Sequence, residues 1–257
     1  MNGKSLYAGT DYFQTFPNPQ DVFIRDVEEH SKYLLPVATF SLSHISPKWS
    51  GKVHFILPIE PVGGYGFLGT NSGRYHNYLC RPDWIGYKYH GDKCELASDF
   101  RFFHRAFYEK HPPNTDLQKN EASELPGHYK QTLDRFAIRK QHFEEHGWLC
   151  SDPLDWDPLD DDSDDDPEEW RSPFVSDLGG TSFDSNWSNS GSFPVSRYPD
   201  KLDGDDWDRV LPNTEDGRDF TFIGAVDMWN FIGDSNGTLL LFFDPDKHIA
   251  LTTIDWS

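Results

Sequence analysis

His142, Glu145 and His146 stand in the order His-x-x-Glu-His (HFEEH). At that spacing two histidines one helical turn apart can hold a zinc ion while the glutamate activates a water. Gly147 follows at once, so the second histidine falls in a fraying last helical turn, where the helix dipole favours a histidine for its own sake. A zinc hydrolase using His142, Glu145 and His146 is therefore an alternative and not the leading reading. His104 and His111 lie two turns apart on a preceding helical segment, and both are expected at the surface. Gly64, Gly66 and Gly69 satisfy GxGxxG, but Thr70-Asn71-Ser72-Gly73 follow where a dinucleotide loop needs a helix, so a glycine-rich β-turn is expected. The three cysteines, Cys80, Cys94 and Cys150, include no CxxC pair and point to reduced thiols. Cys80 and Cys94, bracketing a Trp/Tyr-rich stretch, are expected to be buried as small hydrophobes. No GxSxG, Walker loop or Cys-His nucleophile can be assembled, so no catalytic residue, metal or cofactor is expected.

What the chain has in excess is negative charge. Against 23 Lys plus Arg it carries 43 Asp plus Glu, a formal net charge of −20. Residues 1–150 hold 17 basic and 17 acidic residues, and residues 151–257 hold 6 and 26. Such a field repels phosphate backbones and anionic bilayers, which excludes nucleic acid and membrane as direct partners. Asp152 to Glu169 contains eleven carboxylates, three prolines and no base, and is expected as an exposed loop. Asp160, Asp162 and Asp164 alternate as a calcium loop begins, but Asp165 takes the glycine position and Arg171 the bidentate glutamate position, so that pattern fails. The candidate partner-binding residues are Asp155, Trp156, Asp157, Asp160, Asp161, Asp162, Asp164, Asp165, Asp166 and Trp170. A second patch, Asp205, Asp206 and Asp208 around Trp207, completes the set. Dense carboxylates speed encounter with a cationic protein, and tryptophans within them supply apolar anchors.

These groups need a scaffold, and the length suits a single large domain. Aromatic residues make up 16% of the 257 residues, enough large rings to fill a core. From Val37 to Phe67, β-branched and aromatic residues alternate with polar ones between turn residues, which predicts two or three strands. In Lys52–Ile59, Val53, Phe55 and Leu57 alternate with Lys52 and His54, the pattern of a half-buried antiparallel strand. Phe100, Phe103, Phe107 and His111 then fall at helical spacing after Ser98-Asp99 and stop at Pro112-Pro113. Tyr129, Leu133, Phe136, Ala137, Lys140 and Phe143 form a second helical stripe ending at Gly147. After the acidic loop, Gly/Ser/Asn-rich turns run through Gly191. Three strands close the chain at Phe220–Val226, Thr238–Phe243 and Ile249–Trp256, with tight turns at Gly233–Gly237 and Pro245-Asp246-Lys247. The expected units are a β-rich half 1–97, a helical insertion 98–149, an acidic loop 150–172 and a β-rich half 173–257. The longest apolar run, Leu239–Phe243, is far below the roughly 20 residues that span a bilayer, and the start lacks an apolar signal core, so a soluble cytoplasmic protein is expected.

The ends carry a faint internal repeat, residues 38–59 against 220–245, each a strand, a loop, a glycine turn and an apolar strand. In the C-terminal segment, Gly179-Gly180, Trp187, Phe193-Pro194, Phe222-Ile223-Gly224-Ala225-Val226-Asp227, Gly233-Asp234, Gly237 and Leu239–Phe243 resemble the YwqG-like family of uncharacterised bacterial proteins. There a Gly-Gly, a Trp and a Trp-Pro or Phe-Pro precede a FLxQI strand and a GxLxFF strand. The match covers roughly residues 177–244. Ala225 stands where the family usually has glutamine, and the paired cysteines of some relatives are absent. The resemblance implies a β-rich fold with pseudo-twofold halves and no catalytic residue. Some relatives look like immunity or antitoxin proteins encoded beside bacterial toxins. The expectation is thus an α+β, mainly β fold, with antiparallel sheets from two pseudo-symmetric halves, an inserted helical pair and an acidic loop. The expected function is a non-enzymatic acidic protein of immunity or antitoxin type that neutralises a basic toxin, such as a nuclease, by direct binding. Besides the zinc hydrolase, the alternative is an acidic nucleic-acid mimic acting as a decoy or anti-defence protein.

Overall fold

A computed structural model describes residues 6–153, 170–202, 205–233 and 237–256. The fold is α+β and mainly β, with thirteen strands and six α-helices among the described residues. A three-stranded antiparallel sheet has the order β1-β2-β3, from β1 (Phe13–Thr15), β2 (Leu34–Ser41) and β3 (Lys52–Pro58). The short helices α1 (Pro19–Val22) and α2 (Val27–His30) lie between β1 and β2. Next come β4 (Trp84–His90), β5 (Lys93–Leu96), α3 (His104–Lys110) and α4 (Asp116–His146). The two-residue strands β6 (Leu149–Cys150) and β7 (Arg171–Ser172) pair with each other, and β8 (Asp177–Leu178) follows. Beyond α5 (Asn186–Asn189), β9 (Val195–Leu202) and β10 (Asp205–Pro212) form a separate two-stranded sheet. The chain finishes with β11 (Thr221–Asp227), α6 (Trp229–Ile232), β12 (Gly237–Asp244) and β13 (Ile249–Trp256).

The central layer is a six-stranded antiparallel sheet in the order β5-β4-β13-β12-β11-β8. Strand alternation sends Ile85, Tyr87, Leu239, Leu241, Phe243, Ala250 and Ile254 into a large core on one face. Trp84, Leu240, Phe242 and Leu251 go into a smaller core on the other. Burial on both faces explains why β12 reads as an unbroken apolar run and not as an alternating one. The larger core is closed by the three-stranded sheet and α4. Phe16, on the chain after β1, meets Phe136 and Phe143 of α4 edge-to-face at centroid distances of 5.5 and 5.6 Å. The smaller core is closed by Trp187 and Phe193, which pack against Trp84, and by Val210 of β10.

The repeat is visible as two antiparallel pairs, β2–β3 and β11–β12, each with a register shift in its first strand, at Pro36/Ala38 and at Phe222/Gly224. The pairs sit in different sheets, and β4 and β5 of the first half extend the sheet of the second. At Gly224 the glycine is a packing requirement, because a Cβ would fall inside contact distance of the Asp177 carbonyl oxygen on β8 and crowd Phe55 of β3. Gly224→Ala is expected to cost about 1–3 kcal/mol by prising β8 from β11. Urea unfolding would measure it, and a change under about 0.5 kcal/mol would show that the interface yields without strain.

Two expectations need correction. β3 is not half-buried, since His54 is 1% exposed and its face is covered by Thr39 and Tyr89. The second helix starts at Asp116, capped by the Thr115 side chain, and runs on through Pro126. Its inward stripe is Glu121, Leu125, Tyr129, Thr132 and Arg139, joined by half-buried Phe136 and Phe143, while Leu133 and Ala137 face out. Between Gly191 and the closing strands the chain forms an eight-residue-by-eight hairpin for which no element was expected. All three cysteines are free and buried, and burial pushes the Cys80 thiol up to about 12, so it is protonated at neutral pH. No helix among the described residues is long and apolar enough to cross a membrane.

Candidate partner-binding surface

Asp155, Trp156, Asp157, Asp160, Asp161, Asp162, Asp164, Asp165 and Asp166 lie outside the described residues. The flanks of that acidic segment are defined. Leu149 pairs with Ser172 and Cys150 with Arg171, and the Ser151 amide donates to the Trp170 carbonyl at 3.0 Å. Ser151 and half-buried Trp170 are therefore side by side, rooted on the α4 side of the central sheet, where Leu149 and Phe174 enter the larger core. Arg139 of α4 donates to the Ser151 carbonyl at 3.0 Å and holds this root to the helix.

The second acidic patch belongs to the β9–β10 arm, rooted on the opposite face of the sheet. Its base is fixed through Val210 in the smaller core. The segment 182–184 pairs with the outer edge of β10, the Val210 amide donating to the Ser182 carbonyl and the Asp184 amide to the Asp208 carbonyl, each at 2.9 Å. Arg197 of β9 pairs with Asp184 at 2.6 Å. Towards the tip the arm stands clear, and Trp207 is 43% exposed. The register sets Trp207 opposite Asp200, Arg209 opposite Tyr198 and Asp206 opposite Lys201. Because opposite residues share a face, Asp205, Asp200 and Trp207 lie on one side with Tyr198 and Arg209, whose guanidinium stacks 4.8 Å from the Tyr198 ring. Asp206 and Asp208 lie on the other, where Lys201 is 3.4 Å from Asp206. The predicted ring of carboxylates around Trp207 is thus split over two faces, with Asp200 an added member that spacing alone did not disclose. The structure does not bring the roots of the two acidic segments together. The hairpin itself had a sequence signal in the dipeptide Asp203-Gly204, a residue pair that favours tight hairpin turns.

At the base of the arm a cavity of about 260 Å³ opens between Tyr78, Phe220, Glu215 and Lys247. Beside it Arg218 pairs with Asp216, Asp244 and Asp246.

The densest cluster of titratable groups lies elsewhere and is closed to solvent. Glu60, His104 and Glu121 are each at most 1% exposed. Glu121 accepts from His104 Nδ1 at 2.5 Å, Tyr108 at 2.6 Å and the Asn71 side chain at 3.0 Å. The Asn71 backbone amide points at His104 Nε2 at 3.0 Å, which leaves the imidazole proton on Nδ1. Glu60 accepts from the His104 and Arg105 amides, capping α3, and from Tyr129. Burial lowers the His104 pKa, but the Glu121 hydrogen bond and the Glu60 charge outweigh it and the net direction is up. The surface placement expected for His104 is therefore wrong: Phe103 ends the first turn extended, and the new helix turns His104 inward. The cluster binds α3, α4 and the 60–71 loop into one unit.

The His-x-x-Glu-His segment ends α4 in a capped turn and not a frayed one. Gly147 takes the left-handed conformation at φ 78°, and its amide donates to the Phe143 carbonyl at 2.8 Å. The His142 ring packs against His146 and Trp148, with Nδ1 3.3 Å from the Trp148 carbonyl. Among the described residues no three His, Cys, Asp or Glu side chains are grouped to hold a metal ion. Compared with known proteins, the chain matches no family model, no curated protein and no solved structure.

Proposed function

We propose that the protein is a non-enzymatic binding protein that captures and neutralises a basic protein, of toxin or nuclease kind, from the cytoplasm. The observation that carries this is the β9–β10 arm, which holds a 43%-exposed tryptophan beside Asp200 and Asp205 on a ribbon fixed at its base in the smaller core and paired along its outer edge as far as Asp208. A large ring offered among carboxylates suits a partner surface of lysines and arginines around an apolar pocket. The net charge of −20 steers such a partner inward. The resemblance of residues 177–244 to YwqG-like proteins implies the same immunity-type role. The acidic segment between Ser151 and Trp170 adds its carboxylates to the field that draws the partner in.

The test is capture from the native host with three baits: the wild-type protein, Trp207→Ala, and a variant with Asp160–Asp166 changed to Asn and Ser163 kept. One basic protein held by the wild type is expected to bind Trp207→Ala about 2 kcal/mol more weakly, roughly thirtyfold. It should bind the Asn variant with slower association and a weaker salt dependence. Equal retention by all three baits, or no protein retained by the wild type, sinks the reading.

A further inference from the structure

The cavity at the base of the arm contains chemistry that partner capture does not use. Its floor is apolar, formed by Leu79, Phe220 and Ile249, with the Tyr78 ring at one side. Most charged groups around it are engaged already. Asp244, 1% exposed, accepts from two Arg218 nitrogens and from the Asp246 and Lys247 amides. Asp216 accepts from the Thr214 hydroxyl at 2.5 Å and from Arg218 Nε at 3.2 Å. Two groups are left over. The Glu215 carboxylate and the Lys247 ammonium both line the cavity, yet their side chains form no hydrogen bond or ion pair with each other or with any other described residue.

A free anion and a free cation on the rim of one small apolar cavity constitute a specification. A purely cationic ligand meets Lys247 and Arg218, and a purely anionic one meets Glu215, Asp216 and Asp244. A ligand with both charges gives each rim group its opposite. At about 260 Å³ the cavity is smaller than the roughly 300–1,000 Å³ pockets that enclose drug-sized molecules, which limits the occupant to one small unit. We propose that this cavity binds a free apolar α-amino acid as its zwitterion. Its ammonium pairs with Glu215, its carboxylate pairs with Lys247, and its side chain rests on Leu79, Phe220 and Ile249.

Heteronuclear NMR titration of the full chain with L-phenylalanine and L-leucine tests the site, with N-acetyl-L-phenylalanine and L-phenylalanine amide as probes lacking one charge each. The free amino acids are expected to shift the amides of residues 214–220 and 244–249. Each capped derivative should bind roughly fivefold more weakly, the scale of one partly exposed ion pair. Glu215→Gln should erase the preference for phenylalanine over its N-acetyl derivative, and Lys247→Met the preference over its amide. Both are surface positions, so the fold is kept. Capped derivatives that bind as well as the free amino acid, shifts confined to other residues, or no shifts at tens of millimolar ligand each overturn the proposal.

Discussion

Glu121→Ala is expected to lower the unfolding free energy by about 3–5 kcal/mol, the scale on which removing one member of a buried charged network acts. The carboxylate is buried and receives His104, Tyr108 and Asn71. Taking it away leaves an N–H, an O–H and an amide NH₂ facing a hole that water enters poorly, and each unsatisfied donor costs about 1–3 kcal/mol. Glu121→Gln keeps the volume and one acceptor and should cost less than half as much. In a chain of this size the alanine variant should melt about 2–4 °C lower for each kcal/mol lost. A double-mutant cycle with His104→Ala should return a coupling of about 1–3 kcal/mol, because the two side chains share one bond and one set of neighbours. A loss below about 1 kcal/mol, or additive single effects, would mean that water reaches the cluster and the network is not closed.

That cluster also shows where reading from sequence stops. The three closing strands were legible because β-branched and apolar residues between glycine and aspartate turns leave few alternatives, and they occur as β11, β12 and β13. The mainly β class follows from the same pattern. The long helix was legible only in its second half, because Pro126-Gly127 punctuates the sequence like a loop, while tertiary contacts at Glu121, Leu125 and Tyr129 override that local signal. Glu121 and His104 are polar residues at positions that periodicity assigns no face, and their pairing spans 17 residues, a separation over which spacing carries no information. His54 misled for a different reason. A polar residue alternating with Val53 and Phe55 normally faces water, but here the strand is covered on both faces and the imidazole is satisfied by Thr39 Oγ1 and the Asp92 carbonyl, each at 2.8 Å. On the arm, sequence supplied Trp207 and its carboxylates but not the split between two faces, which depends on the hairpin register.

The burial of His54 carries the second large expectation, that acid stability depends on two buried groups of opposite sign. Burial lowers the His54 pKa from 6.5 to about 4, against a smaller raising effect of the Asp92 carbonyl. Between those values the unfolded chain holds a proton that the native state refuses, so this group removes stability as pH falls from 6.5 to about 4. At about 1.36 kcal/mol per unit the loss reaches roughly 3 kcal/mol. Asp83 does the reverse. Burial raises its pKa from 3.8 to about 6, although Trp256 Nε1 and the Leu68 amide donate to it. From pH 6 down to 3.8 the native state holds the extra proton, and stability rises by a similar amount, roughly 3 kcal/mol. In the wild-type chain the two slopes nearly offset each other. Removing either should expose the other. His54→Gln, whose amide can still donate to the Asp92 carbonyl, should gain about 3 kcal/mol relative to wild type between pH 6.5 and 4, and Asp83→Asn should lose about as much. The slope carries the information, because a constant offset from imperfect replacement cancels along each curve. Urea unfolding at half-unit steps would check it, and variant curves that run parallel to wild type would show that neither group changes protonation on folding in this range. His30, lowered by burial, acts in the direction of His54, while Asp177 and Asp227, raised by burial, act with Asp83. The double variant His54→Gln/Asp83→Asn should therefore return to a shallow profile, an outcome that independent surface titrations would not produce.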